Sequence, residues 1–183
     1  MNMPPVPALG STIIMAGGLG TRMGNPEKAL IRVDEIPLIQ RILNFGLSLA
    51  ADLMVCCSGN TPETCSYCDL NSIKKYISSG NGYPKDLAEC LSTVERYPVL
   101  VLPADVYIHN AEVLTEAILY ALSMDNKVIT FLQQGQYVGI SIFRSPPGKG
   151  QESYSSIEIP VDFCVNVNTP SDLKNPRIYR WIP

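Results

Sequence analysis

Histidine, long basic runs and long apolar runs are the scarce features of this sequence. The 183 residues include a single histidine, His109, which suits a surface or helix-start hydrogen bond better than a catalytic centre. No basic run exceeds Lys74-Lys75, and 14 Lys and Arg against 17 Asp and Glu give a net charge of -3. A general nucleic-acid binder needs a basic stripe, so nucleic acid is not expected as a partner. No stretch approaches the roughly 18 apolar residues of a membrane span. Residues 1–11 hold three prolines and neither Lys nor Arg, unlike the charged start of a signal peptide. A cytoplasmic location is therefore expected. Of six cysteines, Cys56, Cys57, Cys90 and Cys164 lie in apolar or helical contexts and should pack as small hydrophobes. Cys65 and Cys68 form one C-x-x-C without a second pair, which is weak grounds for zinc or redox work.

A hydrophobic content of 46% with 17% charge indicates a globular chain rather than a disordered one. A single domain over residues 1–183 is expected, with residues 1–10 as a loosely ordered extension. No feature of the sequence sets the oligomeric state, and a homodimer is compatible with it.

The chain is organised around Ile13-Ile14-Met15-Ala16-Gly17-Gly18-Leu19-Gly20-Thr21-Arg22-Met23-Gly24, followed by Glu27-Lys28. A buried strand over 12–16 runs into a loop with four glycines in eight residues, whose N–H groups can approach an anion without interfering Cβ atoms. Arg22 adds a planar fork of donors and Lys28 a mobile point charge, a combination suited to a nucleoside triphosphate. Met23 replaces the third glycine of G-x-G-x-x-G, and no G-x-x-x-x-G-K-[ST] occurs, so neither the dinucleotide fingerprint nor the P-loop applies.

Strands are predicted over 29–33, 52–58, 75–79, 98–103, 127–132, 137–143 and 161–167. Helices are predicted over 37–50, from Pro62 to just before Asp69, over 84–96, and after Asn110. In the first helix Leu38, Ile39, Ile42, Leu43 and Leu47 should share the buried face. Thr61 and Asn110 should act as N-caps, and Thr169, Pro170 and Asp172 should open a brief last helix. The Pro-, Gly- and Ser-rich stretch 145–156 reads as a mobile loop. This alternation predicts an α/β three-layer sandwich around a mostly parallel, mixed sheet of about seven strands, with the strands at 127 and 137 antiparallel. Asp105 follows the strongest later strand, where open α/β sheets place ligand chemistry. Asp105, joined by Asn168, could hold Mg²⁺, which takes one or two protein oxygens plus phosphates.

The strand, A-G-G-x-G-x-R-M-G and following lysine resemble the nucleotidyltransferase signature, which implies a Rossmann-like nucleotidyltransferase fold and transfer of a nucleoside monophosphate to a phosphorylated acceptor. Further segments, Ser58 to Thr64, Gly80 to Tyr83 with Asp86-Leu87, Pro98 to Asp105, and Asn166 to Thr169 with Asp172-Leu173, resemble the archaeal adenosylcobinamide-phosphate guanylyltransferases. That resemblance implies GTP as donor, adenosylcobinamide phosphate as acceptor and a step in cobalamin assembly. It implies that Arg22, Lys28 and Asp105 are catalytic and that Asp105 and Asn168 are metal ligands. Nucleotide contacts are expected from Ala16, Gly17, Gly18, Leu19, Gly20, Thr21, Arg22, Lys28, Ser58, Asn60, Thr61, Gly80, Asn81, Gly82, Asp86 and Asp105. Asp86 equally suits a plain negative charge in the first turn of a helix. Gly139, Ile140 and Ser141 are expected beneath the acceptor. Molybdenum-cofactor guanylyltransferases, cytidylyl- or sugar-phosphate nucleotidylyltransferases, and a non-catalytic nucleotide-sensing module are the alternatives.

Overall fold

Continuous apolar runs make strands that need cover on both faces, and the amphipathic segments between them supply it. The computed structural model describes residues 9–148, 152–161, 163–169 and 171–174. In chain order the strands and helices are β1 (Leu9–Met15), β2 (Arg32–Val33), β3 (Ile36–Pro37), α1 (Leu38–Leu49), β4 (Ala50–Ser58), α2 (Pro62–Leu70), β5 (Lys75–Ser78) and α3 (Tyr83–Leu91). Next come β6 (Val99–Pro103), β7 (Val106–Ile108), α4 (Ala111–Leu122), β8 (Val128–Gln133), β9 (Gln136–Phe143), β10 (Tyr154–Glu158) and β11 (Cys164–Asn166).

The main sheet has seven strands in the order β10-β8-β9-β6-β1-β4-β5. β5, β4, β1 and β6 are mutually parallel, β9 pairs antiparallel with both β6 and β8, and β10 returns parallel to β8. Alternation along each strand splits the core. Ile14, Val55, Cys57, Leu100 and Leu102 face α1, α2 and α4, while Ile13, Met54, Cys56, Val99 and Val101 face α3. The expected three-layer α/β sandwich with a mixed, mostly parallel sheet is therefore observed. From β1 the chain moves outward through β4 to β5, then crosses to β6 on the other flank of β1. The β1–β6 gap is thus a topological switch point, where the carboxyl ends of neighbouring strands leave a crevice.

Several local expectations are corrected. β1 begins at Leu9, so the expected loose extension over 1–10 does not reach that far; residues 1–8 lie outside the described residues. Instead of one strand over 29–33, Lys28–Leu30 is a 3-10 turn and β2 turns back on β3 through Asp34 and Glu35, both at positive φ. Leu47 is 60% exposed, because α1 rests on the sheet through Gly46, where an added Cβ would sit 2.8 Å from Leu53 Cδ1. α2 runs on to Leu70, past its expected end before Asp69. α3 ends at Leu91, short of Arg96, and the Ser92 and Thr93 hydroxyls bond back to Glu89 and Cys90 carbonyls at 2.6 and 2.8 Å, competing with further helix. The stretch read as a mobile loop contains the start of β10, an edge strand held by β8; its residues 149–151 lie outside the described residues. β11 is shorter than expected and leaves the main sheet to pair with β7. Asn110 caps α4 as expected, accepting from Val113 N at 3.1 Å. Thr61 makes no side-chain cap to α2. Pro170 lies outside the described residues, and beside it Asp172 to Lys174 form a 3-10 turn.

Candidate active site

The crevice at the switch point is a pocket of about 250 Å³. Its floor is the end of β1 with Ala16, Gly17 and Gly18; Pro103, Ala104 and Asp105 form one wall, and Gly80, Gly82, Tyr83 and Asp86 form the other. Two backbone bonds fix the junctions, from Ala16 N to Cys56 O at 2.8 Å and from Ala104 N to Met15 O at 3.0 Å. The strand-then-glycine pattern therefore delivers bare backbone to the open end of the sheet.

The glycine loop closes on itself at Gly20. Its φ is +61°, and an added Cβ would lie 2.0 Å from the Asn25 carbonyl oxygen. Only a residue without a side chain fits there. Asn25 Oδ1 in turn accepts from Glu27 N at 2.9 Å, bringing the chain back toward Lys28.

Lys28 joins the two residues that follow later strands. Its ammonium pairs with Asp105 Oδ2 and donates to Asn168 Oδ1 at 3.3 Å. Asp105 is set between β6 and β7, and its carbonyl accepts from Val167 N at 2.8 Å. Asn168 is held by Asp172, whose Oδ2 accepts from the Asn168 and Thr169 amides at 2.9 and 2.7 Å. Two oxygens from residues far apart in sequence, Asp105 and Asn168, thus meet one cation.

The other predicted site residues fall into distinct positions. Leu19 lines the pocket mouth with the glycines. Thr21 and Arg22 stand exposed in the turn outside the pocket lining. Asp86 is 4% exposed and its Oδ1 accepts from Gly80 N at 2.9 Å, so it holds the Gly80–Gly82 wall as well as lining the pocket. Asn60 reaches Gly80 O at 3.4 Å, and Asn81 is exposed beside it. Ser58 and Thr61 are fully buried behind the pocket. Ser58 Oγ donates to Gly17 O at 2.7 Å and accepts from Asn60 N at 3.1 Å, which makes these two residues fasteners of the loops rather than pocket lining. On β9, Ile140 and Ser141 are buried, and Gly139, at φ +87°, lies against Pro103, where a Cβ would come within 2.9 Å of the ring. The three share a strand but do not present three side chains to one ligand.

Two features escaped the sequence reading. Tyr83 and Tyr137 bring their hydroxyls to 3.1 Å across the pocket rim, and Tyr137 reaches Ser141 Oγ at 3.0 Å. Desolvation, then the adjacent Tyr137 phenol, pushes the Tyr83 hydroxyl well above its ordinary pKa, so it stays protonated. Glu27 is the second. It is 9% exposed and accepts from Glu63 N at 2.8 Å, Thr64 N at 3.0 Å and the Thr64 hydroxyl. Its position beside Lys28 was the only available clue.

A glycine loop at the switch point, facing a strand-end carboxylate across a lysine, defines a nucleotidyltransferase site. Residues 12–159 match the MobA-like NTP transferase domain, and the chain belongs to that family of NTP-dependent nucleotidyltransferases. It is 31% identical, over 88% of its length and 93% of the relative's, to the adenosylcobinamide-phosphate guanylyltransferase of Methanocaldococcus jannaschii. It is 35% identical to the molybdenum cofactor guanylyltransferase of Pseudomonas paraeruginosa, across 52% of this chain and 48% of that protein. Among solved structures, HddC from Yersinia pseudotuberculosis shares the fold with a TM-score of 0.71 at 12% identity, covering 92% of this chain and 98% of that one. No helix among the described residues is long and apolar enough to cross a membrane.

Proposed function

We propose that this protein moves GMP from GTP to adenosylcobinamide phosphate, giving adenosylcobinamide-GDP and pyrophosphate. The observation that carries this reading is that likeness to the Methanocaldococcus enzyme extends over nearly the whole of both chains, whereas likeness to the molybdenum cofactor enzyme stops at about half. The acceptor phosphate oxygen attacks the α-phosphorus of GTP, the bond from that phosphorus to the bridging oxygen breaks, and pyrophosphate leaves. With a second phosphate pKa of about 6, the attacking oxygen is already ionised near neutral pH. No general base is needed, so a chain with one histidine can work by positioning and charge stabilisation.

In this reading the Gly17–Gly20 backbone and Lys28 hold the phosphates, and Arg22 swings in from its exposed turn. Asp86 uses one oxygen for Gly80 and offers the other to the N1 and N2 protons of guanine. Asp105 and Asn168 would hold Mg²⁺, and their convergence on one ammonium supports the fit of a two-oxygen, hard donor set. Bound there, the ion would neutralise charge on the transferring phosphates.

Pyrophosphate release is measured with Mg²⁺, adenosylcobinamide phosphate and each of GTP, ATP, CTP and UTP. Release that requires both GTP and the corrinoid is the expected result. Release with GTP and a molybdopterin phosphate instead would overturn the acceptor and keep the donor.

A further inference from the structure

We infer that Glu27 is a positioning residue that fixes Lys28 by capping α2 from outside the helix. The inference rests on the nucleotidyl-transfer reading of Lys28. A helix leaves its first amide groups without intrahelical partners, and the accounting at this end of α2 closes only through Glu27. Pro62 has no N–H, Glu63 N and Thr64 N bond to the two Glu27 oxygens at 2.8 and 3.0 Å, and Cys65 N bonds to Thr61 O at 3.1 Å. The Thr64 hydroxyl gives Glu27 a third donor. An ionised carboxylate against amide donors and the positive end of a helix is a strong, directional anchor.

What that anchor holds is the far end of the glycine loop. Its near end is tied by Ser58 Oγ to Gly17 O at 2.7 Å. Ser58 and Thr64 bracket one turn, so the β4–α2 connection grips the loop at both ends. Lys28 is the next residue after Glu27 and reaches 77 residues along the chain to Asp105. Lysine has a flexible four-carbon stem, so the placement of its charge depends on a fixed Cα, and Glu27 fixes it.

The test combines Glu27→Gln, Thr64→Ala and Lys28→Ala. Glutamine keeps the shape but turns an NH₂ group toward an amide donor. Hydrogen exchange is followed in the intact proteins by mass spectrometry. We expect amides of 17–28 to exchange at least tenfold faster in Glu27→Gln and at least threefold faster in Thr64→Ala, with β4 amides unchanged. Unchanged exchange of 17–28 in Thr64→Ala, or in a folded Glu27→Gln, overturns the inference. In a double-mutant cycle on GTP affinity, Glu27→Gln should weaken binding at least tenfold alone and less than twofold in the Lys28→Ala background. Equal losses in both backgrounds mean that Glu27 acts only on general stability, and overturn it. Wild-type protein that binds no nucleotide defeats the functional reading, and the exchange measurements then decide the anchor by themselves.

Discussion

Asparagine and aspartate differ at position 105 by one charge and almost no volume. If that charge balances Lys28 and a divalent cation, Asp105→Asn should leave the fold intact and remove several kcal/mol of transition-state stabilisation, roughly a hundredfold or more in kcat. Steady-state pyrophosphate release, with thermal melting as the control for folding, checks this; a loss of less than about threefold would remove Asp105 from the chemistry. Cys164 makes a separate prediction. Burial pushes its thiol from 9.0 up to about 11. Below pH 9 folded and unfolded chains both hold the proton, and stability is unaffected. Between 9 and 11 only the unfolded chain loses it, so stability falls with rising pH, by up to about 3 kcal/mol at one pKa unit per 1.36 kcal/mol. Urea unfolding at pH 8 and pH 10.5 should show that slope in the wild type and a shallower one in Cys164→Ala.

The glycine loop is the element in which local geometry matters most. Gly20→Ala forces a Cβ to within 2.0 Å of the Asn25 carbonyl at a left-handed φ, so the loop must open. GTP affinity should fall at least about tenfold, or 1.4 kcal/mol, while Gly24→Ala, with φ +67° but open space around it, should cost less. Titration of both variants with GTP separates crowding from φ strain. Tyr137→Phe breaks the hydroxyl chain from Tyr83 to Ser141 and should raise the KM of the acceptor more than that of GTP; an equal effect on both would assign the pair to general packing. The apolar strands, α1, α4 and the glycine turn were legible in the sequence, because periodicity and turn chemistry are local. β10 was not, since its alternation lies within a Gly- and Pro-rich setting and its partner β8 is more than 20 residues away. β11 lay within the strand predicted over 161–167, but its pairing with β7 was hidden, because β7 is three residues long and the two are more than 50 residues apart in sequence. Lys28, Asp105 and Asn168 could be named as site candidates because each sits at a recognisable turn. Glu27 could not be, because its role depends on α2 docking 36 residues later.

On the scale of the molecule, the pocket at the switch point is made from four separated stretches of chain, the ends of β1 and β6, the 3-10 turn at Lys28 and the start of α3. A ligand that binds only when all four are assembled stabilises the folded state by about 2.7 kcal/mol at a hundred times its Kd. For a chain of 183 residues that is a rise in Tm of roughly 5–10 °C. GTP should produce it and ATP, CTP and UTP should produce less; equal shifts for all four would mean that the base is not read.

β9 alone runs against the other six strands of the main sheet. Its first residue therefore lies at the same end as Asp105, and only Gln134 and Gly135 separate it from β8. Residues added at that hairpin would emerge at the Asp105 end of the sheet without altering a strand, a helix or the glycine loop. The β8–β9 turn is thus a place where chain length can change at the Asp105 end of the sheet while the four stretches that form the pocket keep their positions.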